Sequence, residues 1–166
     1  NKGHPTSQTN LGLMYEKGLG VKQNYFTALQ WYRLAAEQGE KTAQMSIALI
    51  YHKGLGVTQD YGEAVKWYRK AAAQGDSEAE FNLGERYHKG RGVHQDYNVA
   101  RQWYKKASQD KHLKATHNLA VLYATGLGGP IDNKRAFETF QKAAVYGSAP
   151  AHFQLGVYYN TGTIVP

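Results

Sequence analysis

The 166-residue chain contains no cysteine, which excludes a disulfide framework, a thiolate metal site and a cysteine nucleophile. The lack does not fix a compartment, because a cysteine-free chain is compatible with cytosol and with a periplasmic or secreted life alike. No apolar run approaches the roughly 18 residues that a membrane-spanning helix needs. With 42% apolar and 20% charged residues, and a mean hydropathy of -0.63, the composition is that of neither a membrane span nor a disordered tail. Acidic residues are in the minority, 13 against 20 lysines and arginines, for a net charge of +7. There is no initiator methionine at Asn1 and no signal-like stretch after it. Proline is scarce, at four, beside 18 glycines and 13 tyrosines. The glycine and tyrosine excess has a single origin.

That origin is a period of 36. Tyr15, Tyr51, Tyr87, Tyr123 and Tyr159 keep this step, as do Gly18, Gly54, Gly90, Gly126 and Gly162. Gly-Leu-Gly-Val at 18–21 recurs at 54–57 and as Gly-Arg-Gly-Val at 90–93, and Trp-Tyr pairs stand at 31–32, 67–68 and 103–104. The register places four full units at 7–42, 43–78, 79–114 and 115–150, then the first helix of a fifth at 151–166. Gly3 stands 36 before Gly39, so residues 1–6 read as the end of a preceding unit or a leader, and further repeats are expected in the native protein. Inside a unit the apolar spacing is helical: Ala43, Ile47, Ile50 and Tyr51 form one face, and Tyr61, Ala64, Val65, Tyr68, Ala71 and Ala72 another. The Gly-x-Gly between them stops the first helix. Asn24, Asp60, Asp96 and Asp132 stand where the second helix needs an N-cap, with Glu63 as a capping-box partner for Asp60. Each unit is thus an antiparallel helix pair that must stack on its neighbours to bury its apolar face. The expected fold is all-α, an α-solenoid of such pairs.

Leu-Gly-x-x-Tyr-x-x-Gly-x-Gly-Val, followed by Asp, Ala, Trp-Tyr-x-x-Ala-Ala and Gln-Gly, resembles the Sel-1-like repeat, a relative of the tetratricopeptide repeat. The resemblance covers nearly the whole chain. It implies a right-handed superhelix with the first helices lining a concave face, and non-catalytic adaptor or scaffold work, often in bacterial proteins of the envelope, secretion, signalling or host contact. The chain departs from the pattern at Lys111, which replaces a closing glycine, at Gly129-Pro130, and at Thr139-Phe140, which stands in for Trp-Tyr.

Once the repeat's own residues are assigned to packing and turns, the variable positions remain. By analogy with tetratricopeptide geometry, Asn10 in the first unit, Met45, Ser46, Leu49 and His52 in the second, Phe81, Asn82, Glu85 and His88 in the third, His117 and Asn118 in the fourth, and Phe153 and Gln154 in the fifth face the groove. Asn10, Ser46, Asn82, Asn118 and Gln154 form a column of short polar groups whose donors and acceptors suit an extended peptide backbone. Met45, Phe81 and Phe153 beside it offer apolar anchors. The partner expected is a protein or peptide of unknown identity.

Charge is uneven. The third unit alone carries a net +4. Its Arg91, Arg101, Lys105, Lys106, Lys111 and Lys114 suggest a second surface for an acidic protein or a phosphoinositide membrane. Nucleic acid fits poorly, since no aromatic is interleaved with these cations for base stacking. Enzyme readings are weak. Ser108-Gln-Asp-Lys111 fits a Ser-x-x-Lys pattern, but the companion motifs of that chemistry are missing. His52 and His88 share a column that could converge on a metal only with further ligands. No glycine-rich phosphate loop follows a strand, so no metal or cofactor is expected.

Overall fold

A computed structural model describes residues 3–162. Among these residues there are nine helices and no strand: α1 (Pro5–Lys17), α2 (Tyr25–Ala36), α3 (Lys41–Lys53), α4 (Tyr61–Ala72), α5 (Ser77–Lys89), α6 (Tyr97–Gln109), α7 (Leu113–Thr125), α8 (Asn133–Val145) and α9 (Ala149–Thr161). Odd-numbered helices begin 36 residues apart, and so do even-numbered ones. Two compact units divide the chain. One holds α1 to α4, the start of α5 and residues 91–93; the other holds the rest of α5 and α6 to α9.

Every expected cap of a second helix is made. Asn24, Asp60, Asp96 and Asp132 accept from the backbone N–H three residues on, at 2.8–3.0 Å. The reciprocal half of the capping box at Asp60 does not form. The Asp60 N–H is already spent on the Tyr51 carbonyl at 3.0 Å, which leaves Glu63 to pair with Lys66 at 2.5 Å. First helices have a cap column of their own, unread in the sequence because its chemistry changes at each step. Glu40, Asp76, His112 and Ser148 accept from the N–H of Ala43, Ala79, Ala115 and Ala151.

The turn between the helices of a pair depends on its second glycine. At Gly56 (φ 67°) a Cβ would lie 2.7 Å from Tyr25 Cβ, and at Gly128 (φ 77°) it would strike the Tyr97 carbonyl. Each loop is thereby pressed onto the start of the preceding pair's second helix, which no side chain at that position would permit. Gln23, Gln59 and Gln95 tie the same loops down by donating to the carbonyls of Glu16, His52 and His88. Lys111, at the position of a closing glycine, takes the left-handed conformation itself (φ 58°), so the chain turns there without the glycine.

Inside each helix pair the core is a contact of small residues with one large ring. Ala28, Ala64, Ala100 and Ala136 are fully buried, and Tyr32, Tyr68, Tyr104 and Phe140 nearly so. Burying a ring of this size is worth roughly 1.5–3 kcal/mol. Gly12 and Gly84 on the first helices make room for it, since a Cβ at either would lie 2.5–2.6 Å from the ring of Tyr32 or Tyr104.

Candidate functional site

The buried tyrosines reach from the core to the outward stripe of the first helices, where the variable positions lie. In the first unit the Tyr32 hydroxyl donates to Glu16 Oε2 at 2.8 Å and is also bonded to Ser46; burial, with Glu16 beside it, pushes its pKa well up. The Tyr68 hydroxyl lies 2.9 Å from His52 Nδ1. Asn10 is exposed on α1, and Met45, Ser46, Leu49 and His52 are half-buried on α3.

In the second unit the Tyr104 hydroxyl donates to Glu85 Oε1 at 2.9 Å, Asn118 Nδ2 donates to the same oxygen at 3.2 Å, and Lys89 pairs with the other carboxylate oxygen. Burial on its own would raise the Glu85 pKa, but the hydrogen bonds from Lys89 and Tyr104 outweigh it and hold the carboxyl below its ordinary value. The half-buried Phe81 ring stacks on His112 with centroids 4.7 Å apart. His88 lies edge-on to Tyr97 at 5.2 Å.

The amide column is therefore not the open ladder its spacing suggests. Asn82 is only 7% exposed, while Ser46 and Asn118 are engaged with the tyrosine of the preceding pair. Asn10 and Gln154 remain accessible on α1 and α9. Phe81 is committed to packing, whereas Phe153 is 70% exposed. What spacing could not reveal was the length of tyrosine, which brings its hydroxyl up to the stripe and takes up hydrogen bonds there.

His117 departs from this pattern, as does His88, whose Nδ1 is likewise buried without a hydrogen-bond partner. The His117 ring is tilted against Phe140 at 5.7 Å, and Phe140, alone in its column, has no hydroxyl. The Nδ1 of His117 is buried without a hydrogen-bond partner, and burial lowers its pKa, favouring the neutral ring. Beside it a cavity of about 280 Å³ opens between the starts of α7 and α9, lined by Leu113, Lys114, His117, Asn118, Ser148 and Pro150 among others.

The six basic residues divide between the two units. Arg91 lies in the first unit, 5.8 Å from the Tyr61 ring. In the second, Arg101 stacks 4.1 Å over Tyr123 and donates to the Gly128 carbonyl, and Lys106 lies 4.5 Å over Trp103. Lys105 lines a cleft between α6 and α8, Lys111 sits in the turn after α6, and Lys114 lines the His117 cavity. Three of the six, Arg91, Arg101 and Lys106, thus lie against aromatic rings of the repeat, while Lys105, Lys111 and Lys114 are exposed. Ser108 donates to the Lys105 carbonyl at 2.7 Å, so its hydroxyl serves the helix end. Among the described residues no three histidines and carboxylates gather as metal ligands would. No helix among the described residues is long and apolar enough to cross a membrane.

The model of the Sel1 repeat family matches residues 5–40, 42–76, 77–112, 113–144 and 149–166. No curated protein matches the chain significantly. Among solved structures, an Escherichia coli protein, c5321, described as a protective antigen of uropathogenic strains with an SLR fold, is 38% identical with a TM-score of 0.95; the match covers 98% of this chain and 35% of that one. A Sel1 repeat protein from Oxalobacter formigenes is 37% identical with a TM-score of 0.94, over 98% of this chain and 67% of its own. Cysteine-rich protein B of Helicobacter pylori is 27% identical with a TM-score of 0.63, over 83% and 99%. This chain thus spans about a third of the Escherichia coli protein. Such proteins are mainly non-catalytic, and nothing in the residues above points to an enzyme. The nine helices, their 36-residue step and the five matched segments make the chain a member of the Sel1 repeat family, α-solenoid proteins that serve in general as protein-interaction modules.

Proposed function

We propose that this chain is a non-catalytic adaptor that holds a segment of another protein on the outward stripe of its first helices. The observation that carries the reading is the His117 cavity. About 280 Å³ accommodates one anchoring side chain, and the neutral His117 ring forms part of its wall. Phe153 on α9, 70% exposed, supplies apolar surface of the kind that dominates interfaces. Glu16, Ser46, His52, Glu85 and Asn118 are already held by the buried tyrosines, so these groups present a fixed arrangement with little side-chain freedom left to lose.

A library of displayed random peptides, selected on the wild-type chain, tests this. Selected peptides should bind His117→Trp, which fills the cavity, at least ten times more weakly, and Phe153→Asp more weakly as well. The helical spectrum of both variants should match the wild type. Peptides that bind wild type and His117→Trp equally would remove the groove reading, as would a selection that enriches nothing.

A further inference from the structure

The repeat's tryptophan has a structural task that its fourth unit abandons. In the first unit Trp67 of α4 packs onto the buried cluster of α2 and α3, and the Lys70 ammonium lies 3.9 Å over its ring. Lys106 covers Trp103 in the same way. One step further along, the tryptophan is Thr139 and the lysine is Lys142. A threonine cannot fill the space of an indole, and Lys142 has no indole beneath it.

A cleft of about 550 Å³ opens at that place, between α6 and α8, with Leu119 and Tyr123 of α7 in its floor. Lys105, Arg135 and Lys142 line it against one carboxylate, Glu138. Arg135 also pairs with Asp132, Nε to Oδ2 at 3.3 Å. A smaller adjoining cleft shares Lys105, Tyr123 and Arg135 and adds Arg101. Four cations thus face two carboxylates around a partly apolar floor. The size lies within the range of about 300–1,000 Å³ usual for small-ligand sites, which pair an apolar lining with a few placed polar groups.

We propose that this cleft is a binding site for a small phosphorylated molecule, its phosphates held by Lys105, Arg135 and Lys142. Clustered phosphates match the excess of positive charge, and Arg and Lys are the side chains that bind them. The site is separate from the first-helix stripe and does not depend on the adaptor reading.

Calorimetric titration with inositol 1,4,5-trisphosphate is the direct test. Wild type should bind it stoichiometrically. Thr139→Trp restores the residue of the other units, so it should fold at least as well, and should bind at least ten times more weakly. Lys105→Gln with Lys142→Gln should lose a similar factor, and Thr139→Ser should change little. A parallel arm uses vesicles containing phosphatidylinositol 4,5-bisphosphate, whose headgroup carries the same chemistry. Vesicle binding that the soluble trisphosphate competes away supports the cleft. Vesicle binding that it does not compete, equal affinity in Thr139→Trp, or no binding of the soluble probe overturns the proposal.

Discussion

One hydroxyl separates Tyr104 from Phe140, and the polar groups above them differ accordingly. Tyr104 organises Glu85 and Asn118 into a closed network, while Phe140 offers no hydroxyl, and the His117 Nδ1 near it is unmet. One methyl group matters as much elsewhere. Alanine normally gains about 1 kcal/mol over glycine inside a helix. At Gly84 that gain is overturned, because the new Cβ would lie 2.5 Å from the Tyr104 ring, and overpacking of this kind costs typically 1–3 kcal/mol. At Gly156, the same register position on α9, nothing lies within 4 Å. Gly84→Ala should therefore lower the urea midpoint while Gly156→Ala raises it slightly, by up to about 1 kcal/mol. Equal shifts in both variants would show that the ring moves aside freely.

At the scale of the helix, stability rests on caps that repeat in place but not in kind. Removing Asp96 or Asp132 should cost about 1 kcal/mol each, whereas Gln95→Ala, which frees an exposed loop tie, should cost less; denaturant melts of the three alanine variants check the order. These caps were legible in the sequence because Asn and Asp recur at one spacing. The first-helix caps were not, since Glu40, Asp76, His112 and Ser148 have no common chemistry and only the backbone reveals their shared role. The helices, their turns and their register could be read because small residues and glycines answer to local geometry. The fate of the stripe could not. Whether Asn82 faces solvent or Phe81 packs on His112 is decided by how neighbouring helices meet. Nor did spacing show that losing one tryptophan would open a cleft, though Thr139 was visible as a departure.

For the whole chain, the net charge of +7 means that acidification adds repulsion to a molecule already positive, and two groups set where stability is lost. Burial holds His117 below its ordinary histidine value. The unfolded chain therefore takes up that proton first, and stability falls as pH drops from 7 through the ordinary histidine range. Glu85 is the opposite kind of group, a carboxyl held below its ordinary 4.5 by Lys89 and Tyr104. Its stabilisation is fully present above that value and is lost as pH falls through the lowered one. Acid unfolding should accordingly have an upper limb from the histidine and a lower limb from the carboxyl. His117→Phe, which installs the residue found at 81 and 153, should flatten the melting temperature between pH 7 and 5 and leave the lower limb intact. Glu85→Gln should do the reverse, weakening the protein at pH 7 while making the loss below pH 4.5 shallower. Thermal melts of the three proteins across pH 3 to 8 separate the two limbs; an upper limb that survives His117→Phe unchanged would assign the loss to the charge of the molecule as a whole.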